Sequence, residues 1–393
     1  GDKIPKAVAV LNPKRKDCSY PFDELCGCGV GFKLIQALAS KRGQTLEDLT
    51  TYLDLVATAI AADIVPVTGE NRILTYFGLQ VINSNPRNGI KAIIQGVKKN
   101  ILTITDVVFI IAPRINAAGR MKHGNYAVEL LTEMDYETAI RFAASIEKFN
   151  IERKEIDKKI TYEALQQIEA ADEKEKFSTV VYSEDWHKGV IGIVASRLIE
   201  SYYRPTLVFT KSGEKLAASA RSVKGFDVYE ALEQCSEHLE QFGGHKYAAG
   251  LTLNPDQYIP FKEKFEAVVK KTIDKELLIP EIAIDSPLEL SDITPKFFRI
   301  LKQMGPFGPK NMKPVFTTNA VRDNGYGKRV GVDKSHLKLN IINGADQKTY
   351  NAIGFGLGDK ITSTQNDFDI AYNLDENEWN GNTSIQLLIK DIK

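Results

Sequence analysis

Apolar residues in the first 125 positions come in two textures. Ala7-Val-Ala-Val-Leu11 is strand-like, and Val107-Val-Phe-Ile-Ile-Ala112 is a second continuous apolar run; helical spacing lies between them, over about Gly29–Ser40 and Leu46–Ala62. Short apolar runs alternating with helices predict α/β organisation. From residue 126 to about 173 the period is helical throughout, with Ile146, Phe149, Ile156, Ile160, Leu165 and Ile168 punctuating Glu- and Lys-rich sequence. This predicts a long, charged, amphipathic connecting helix with a solvated face.

A second α/β unit follows. Strands are expected near Thr179–Ser183, Thr206–Thr210, Leu216–Ser219 and Tyr247–Leu253, and helices near Val190–Tyr202, Val228–Glu240 and Tyr258–Ile273. Asp227, with Glu230 three residues on, resembles a capping box. Beyond Pro280 one short helix, Pro295–Gln303, precedes five β-rich runs separated by Gly, Asn and Asp: Val315–Val321, His336–Ile342, Tyr350–Phe355, Asp367–Leu374 and Ser384–Ile389. Five strands in a terminal module suggest a small OB-type β-barrel, a frequent single-strand platform, with a plain β-sandwich as the alternative. The expected division is 1–125, 126–174, 175–278 and 279–393. No internal repeat is evident.

A chain of 393 residues calls for two or three domains. Its 51 basic and 51 acidic residues cancel, which excludes a histone-like binder yet leaves room for a local basic groove. Four cysteines, at 18, 26, 28 and 235, do not make a disulfide scaffold, so a reducing compartment is expected. Cys26-Gly-Cys28 with Cys18 suggests zinc spacing, but its glycine-rich, apolar setting reads better as buried thiols, and the zinc reading is rejected. No run approaches the roughly 18 apolar residues of a membrane span, and Gly1-Asp-Lys-Ile-Pro-Lys6 is not a signal peptide. A cytoplasmic location is expected.

Gly243-Gly-His-Lys-Tyr-Ala-Ala-Gly250 is the most informative stretch: backbone with few bulky side chains, one histidine, and a possible concavity of N–H groups for an anion such as phosphate. A tight turn feeding a strand, with His245 an ordinary histidine, is the alternative. Three other segments share its texture. Pro113-Arg-Ile-Asn-Ala-Ala-Gly-Arg120 sets Arg114 and Arg120 around a small-residue turn with Asn116 between, where guanidinium forks suit phosphate; a helix start with solvated arginines is the competing reading. Ser219-Ala-Arg-Ser222 sits at a strand end, where ligands gather in α/β folds. His187 and Lys188 precede a helix whose N-terminus favours anions. For metal chemistry the candidate is Asp63, in Ala61-Ala-Asp-Ile-Val-Pro66. If buried, such an Asp is costly unless paired or metal-bound, but one carboxylate is not a two-metal site, and no DxD or HxxxH cluster accompanies it.

In order along the whole chain, these strings resemble the RecJ family of single-strand-specific 5′ exonucleases, in the DHH phosphoesterase superfamily. Leu11-Asn-Pro13 with Tyr20-Pro-Phe22, Gly27–Lys33, Ala61–Asp63 through Asn71-Arg72, and Pro113–Arg120 are similar to the back half of its catalytic domain. Trp186–Gly192, Ser219–Ser222 and Gly243–Gly250 are similar to its DHH-associated domain; Gly305–Asn311, Ser335–Lys338 and Asn377–Gly381 resemble its OB module. The resemblance implies hydrolysis at the 5′ end of single-stranded DNA by Mn²⁺ or Mg²⁺, in DNA repair and recombination. It assigns Asp63 as a metal ligand and catalytic residue, and Arg114, Asn116, Arg120, Ser219, Arg221 and His245 as contacts to DNA or its 5′ phosphate. His187, Ser222, Gly243 and Gly244 join them as expected substrate-binding residues. Ala220 departs from the family's Gly in a Ser-Gly-Arg-Ser string. The Asp-x-Asp and Asp-His-His motifs are expected before Gly1, so this chain is expected to bind single strands and cut them poorly. A single-strand-binding protein or a helicase is a candidate protein partner. Two alternatives are a non-catalytic binding or docking protein and a phosphoesterase of small nucleotides.

Overall fold

The computed structural model describes residues 4–343, 346–379 and 381–393. Their contacts divide into two compact units, one of Gly1–Arg87, Gly96–Ala112 and Ile282–Lys393, the other of Asn88–Gln95 and Pro113–Glu281. The chain is mixed α/β, as expected, but described residues 4–125 contain helices and no strand. In order these are α1 (Gly27–Lys41), a 3₁₀ helix over Glu47–Tyr52, α2 (Leu53–Ala62), α3 (Gly69–Ser84), α4 (Asn88–Ile93), α5 (Ile104–Asp106), a π-helical turn over Val107–Ile111, and α6 (Ala112–Met121). Ala7–Leu11 stays irregular, because alternation makes a strand only where another strand pairs with it, and no partner stands beside it among the described residues. Val107–Ile111 turns helical because a continuous apolar run carries no period of its own, and a Thr103–Asp106 capping box starts a helix immediately before it.

In the first unit α2 and α3 pack so closely that a Cβ at Gly78 would lie 2.3 Å from the Leu53 carbonyl oxygen. The start of α2 holds Asp54, fully buried, whose carboxylate accepts from the Arg87 guanidinium at 2.8–3.0 Å and from the Arg87 backbone N–H at 3.0 Å.

The connector is two helices where one was expected: α7 (Asn125–Thr132), then α8 (Tyr136–Ala170), restarted by Asp135, which accepts from Thr138 N–H at 2.8 Å. At 35 residues α8 is about 52 Å long. Next come β1 (Thr179–Tyr182), α9 (Ile191–Ser201), β2 (Thr206–Ser212), β3 (Lys215–Arg221), α10 (Val228–Glu233), β4 (Gln241–His245), β5 (Ala248–Leu253) and α11 (Tyr258–Thr272). Asp227 caps α10, accepting from the N–H groups of Tyr229 and Glu230. The sheet order is β1-β2-β3-β5-β4, with β1 parallel to β2 and the other pairs antiparallel.

Strand alternation sorts this sheet into two faces. Leu216, Ala218, Ala220, Ala249, Leu251 and Leu253 enter a core closed by Phe261 and Phe265 of α11. On the opposite face Val181 and Val208 pack under Ile191, Val194 and Leu198 of α9, and under Ile160, Ala164 and Ile168 of α8.

The last segment carries β6 (Ser286–Pro287), α12 (Pro295–Gln303), β7 (Phe316–Asp323), β8 (Lys328–Val330), β9 (His336–Asn343), β10 (Asp346–Gly354), β11 (Phe368–Trp379) and β12 (Asn382–Ile392). Strands β7, β11, β12, β10 and β9 follow one another, and a short β7–β9 pairing over Val321–Asp323 returns the ladder to its start. Because β10 and β12 share only the pairs Ala352–Leu387 and Ile353–Leu388, the small OB-type barrel expected from sequence is here a partly closed ring. Phe316, Leu339, Ala352, Tyr372 and Leu387 fill it, and Phe298 and Leu301 of α12 pack on them. The Asn377–Gly381 string lies partly outside the described residues.

The Gly305–Asn311 string has a clear local role. Arg72 Nη2 donates to the carbonyls of Gln303, Met304 and Gly305 at 3.0–3.2 Å, capping α12, while Val67 N–H donates to Pro309 at 2.8 Å. A Cβ at Gly308 would lie 2.4 Å from a Val67 methyl, so glycine is what lets this loop seat on the segment between α2 and α3.

Candidate nucleic-acid interface

The small-residue string at 243–250 is a β-hairpin. Its first half is β4, the edge strand, and its second half β5, joined by Lys246 and Tyr247. The N–H groups therefore line a ladder and do not converge into the nest expected for an anion. Register then does what sequence distance conceals: Ser219 pairs with Gly250 and Gly250 with Gly243, while Arg221 pairs with Ala248 and Ala248 with His245. All six residues share one sheet face. A Cβ at Gly243 would meet nothing within 4 Å, so the outer part of this face, beyond α9, is an open ledge of bare backbone.

The first turn of α9 adjoins the ledge. A Cβ at Gly192 would lie 2.9 Å from Ser219 Oγ and 3.0 Å from Arg221 Nη2, so a hydroxyl, a guanidinium and a helix start without side-chain capping converge there. Arg221 Nη1 donates to Ser219 Oγ at 3.0 Å and to the Ala220 carbonyl at 2.7 Å, while its Nε and Nη2 have no acceptor among the described residues. Burial lowers the Arg221 pKa, and the like charge of Arg120 lowers it further. An anion at this corner offsets both effects.

Arg120 closes the same corner by donating from Nη1 to the Gly189 carbonyl at 3.1 Å; a Cβ at Gly189 would strike the Arg120 carbonyl oxygen at 2.3 Å. His187 Nδ1 accepts from Gly189 N–H at 3.1 Å, and His245 Nδ1 from Tyr247 N–H at 3.3 Å, so in each neutral ring the proton sits on Nε2, which is left as a donor.

Other expected contacts are placed differently. Pro113–Arg120 lies within a helix, α6, and not in a turn, because the buried Ala117 and Ala118 give it a packing face. Asn116 and Arg120, one turn apart, are both exposed, whereas Arg114 forms an ion pair with Glu147 of α8 at 2.5 Å. The Ser222 hydroxyl donates to the Phe226 carbonyl at 2.9 Å, closing its own loop. Gly244 serves packing: its φ is +156° and a Cβ would lie 2.3 Å from the Ala248 carbonyl oxygen. Gly244→Ala should therefore cost about 1–3 kcal/mol of stability and Gly243→Ala little, as thermal melts would read.

Asp63 ends α2, exposed, donating its N–H to the Ala59 carbonyl at 2.9 Å, so it is not the buried carboxylate considered from sequence. Ile64 follows at φ +55°, a strained conformation for a β-branched residue. Cys26 is buried, but Cys28 and Cys18 are exposed, which corrects the buried-thiol expectation. Loss of solvation among its packed neighbours pushes the Cys28 thiol up to about 11, with Cys26 and Asp63 adding. Among the described residues no three His, Cys, Asp or Glu side chains group to hold a metal, so the residues present do not fit a metal pair.

An α/β unit with an open corner where Gly192, Ser219 and Arg221 meet, and a ring-like terminal sheet, define the class: a chain that carries a DHHA1-type domain and an OB-type module. Residues 175–271 match the DHHA1 domain and residues 284–391 the RecJ OB domain. The single-stranded-DNA-specific exonuclease RecJ of Escherichia coli is 32% identical over all of this chain, which covers 71% of that protein. The Bacillus subtilis protein of the same name is 35% identical, and the chain spans 49% of its length. The crystal structure of Thermus thermophilus RecJ in complex with Mn²⁺ superposes with a TM-score of 0.85 at 28% identity, over 100% of this chain and 56% of that one; a Mg²⁺ complex of the same protein aligns at 0.82 over 97% and 57%. This chain belongs to the RecJ family.

Proposed function

We propose that this chain is the substrate-holding part of a single-strand-specific 5′ exonuclease that acts in the cytoplasm in DNA repair and recombination. Residues 1–125 would be the back of the phosphoesterase domain, 126–174 the connector, 175–278 the DHH-associated domain and 279–393 the OB module. The observation that carries the reading is the meeting of Ser219 Oγ and Arg221 Nη2 beside Gly192 at the start of α9, on a ledge where glycine bares the backbone. Arg221 and Ser219 would take the terminal 5′ phosphate, joined by the α9 start, because forked guanidinium donors and helix N–H groups are both strongest toward a dianion. His187, His245, Asn116 and Arg120 would line the path of the strand, and Gly243 would let it approach the sheet. Hydrolysis would require Mn²⁺ or Mg²⁺, toward which Asp63 is the one ligand expected of this chain. A single-strand-binding protein or a helicase would present the substrate.

The test compares 5′-phosphoryl and 5′-hydroxyl (dT)10 binding to the 393-residue chain. Preference for the phosphoryl strand by about tenfold or more supports the reading, since one charge-assisted contact is worth roughly 1.5–3 kcal/mol; equal affinity overturns it. Incubation with Mn²⁺ should give little cleavage, and robust cleavage would show that the chain is a self-sufficient nuclease.

A further inference from the structure

The terminal ring is open on one side, and the opening has a definite register. Strands β10 and β12 run parallel and pair only at Ala352–Leu387 and Ile353–Leu388. Continued in the same register, the ladder would set Lys348, Thr349 and Tyr350 opposite Thr383, Ser384 and Ile385. Instead these residues line one cavity of about 830 Å³, and no pairing joins them among the described residues. The ladder of β10 is irregular between Asp346 and Tyr350, and the Tyr350 hydroxyl is fixed by donating to the Leu290 carbonyl at 2.5 Å. Each strand keeps a bonded neighbour on its far side, β9 for β10 and β11 for β12, so alternate N–H and C=O groups of both segments lack a strand partner. The floor of the cavity is apolar, with Ile293 and Phe298 buried there beside Ile385. Its rim is basic. Lys302 Nζ is neutralised by Glu376 at 2.7 Å, but Arg299, exposed, and Lys348 have no acidic partner among the described residues. Lys348 Nζ donates to the Ile293 carbonyl at 3.1 Å and keeps its charge.

We propose that this slot is a docking site for an extended peptide of alternating apolar and acidic residues, carried by a partner protein, which adds a strand between β10 and β12. Free strand edges are templates for such addition: main-chain hydrogen bonds supply affinity, and alternate side chains supply specificity. In an extended peptide one set of side chains fills the apolar floor while the other meets Arg299 and Lys348. The cavity is of the size of ordinary ligand clefts. A nucleic-acid backbone offers no N–H groups to the free carbonyls of the two edges, so it meets the slot only in part.

The experiment uses the full chain and a labelled, end-capped octapeptide of alternating Glu and Val, read by fluorescence anisotropy. The same peptide with Lys for Glu, and versions N-methylated at every Val or at every Glu, serve as comparisons. The Glu peptide should bind saturably, the Lys peptide about tenfold more weakly or worse. Both N-methylated peptides should lose binding, because each lacks the donors of one strand edge. Arg299→Glu should weaken the Glu peptide by about tenfold with an unchanged melting temperature, and Lys154→Glu should behave as wild type. Amide hydrogen exchange at Lys348–Tyr350 and Thr383–Ile385 should slow when the peptide is added. Equal binding of the N-methylated peptides, or no added protection in those two segments, would overturn the strand addition. Equal binding of the Glu and Lys peptides would overturn the acidic preference. Two other occupants have their own signatures, and either overturns the proposal: (dT)10 that displaces the peptide and is itself weakened by Arg299→Glu, or self-association of the chain that Arg299→Glu abolishes while no peptide binds.

Discussion

Arg221→Ala is expected to weaken binding of a 5′-phosphorylated single strand by about a hundredfold, and that of the 5′-hydroxyl strand by far less. The figure corresponds to about 2.7 kcal/mol, within the range for charge-assisted hydrogen bonds in a partly desolvated site. The guanidinium is already held against Ser219 and the Ala220 carbonyl, so little side-chain freedom is lost on binding. Thermal stability should change little, because burial without an opposing carboxylate already disfavours the charge. Gly192→Ala should act in the same direction, since its methyl would displace Ser219 Oγ and Arg221 Nη2. Fluorescence anisotropy on both strands reads the result. A loss equal on the two strands would remove Arg221 from the terminal phosphate.

The largest stability effect is expected at Asp54, far along the sequence from any of these motifs. Asp54→Ala should cost about 3–5 kcal/mol, because the Arg87 guanidinium would be left with its buried ionic partner gone. The Arg87 backbone N–H and the Leu55 N–H would each lose an acceptor as well. Denaturant titration of the chain measures the change, and a loss under 1 kcal/mol would show that water replaces the carboxylate without strain.

Most helices and strands after residue 175 were legible because their periods are clean: the helix Pro295–Gln303 lies where the apolar spacing places it, β2 and β3 extend their expected runs by two residues or fewer at either end, and β5 starts one residue inside its run, whereas the helix expected over Val228–Glu240 ends at Glu233. The first 125 residues were less so. Helix α3 runs over Gly69–Ser84 but mixes Asn, Arg, Thr and Gly with its apolar positions, and Gly78, poor in a helix by propensity, is there for packing against Leu53 and Ala57. The edge strand β4 went unread because Gly243-Gly244 carries no alternation; only pairing with β5 makes it a strand. Asp157, fully buried, read as one charge among many on a solvated helix, since nothing in its neighbourhood along the chain marks the side on which α9 packs.

By itself the sequence determined the kinds of residues available and their order: the glycine-rich hairpin, the Ser219–Arg221 strand end, the α9 start and the late β-rich module. Which of them act together was decided only by tertiary structure. Strand register places Ser219, Arg221, Gly243 and His245 on one face, and the start of α9 meets two of them beside Gly192. The reason is physical. Period and propensity act over a few residues, whereas a ligand corner is set by which backbones approach closely, and here that approach depends on the absence of a Cβ at Gly189, Gly192 and Gly244.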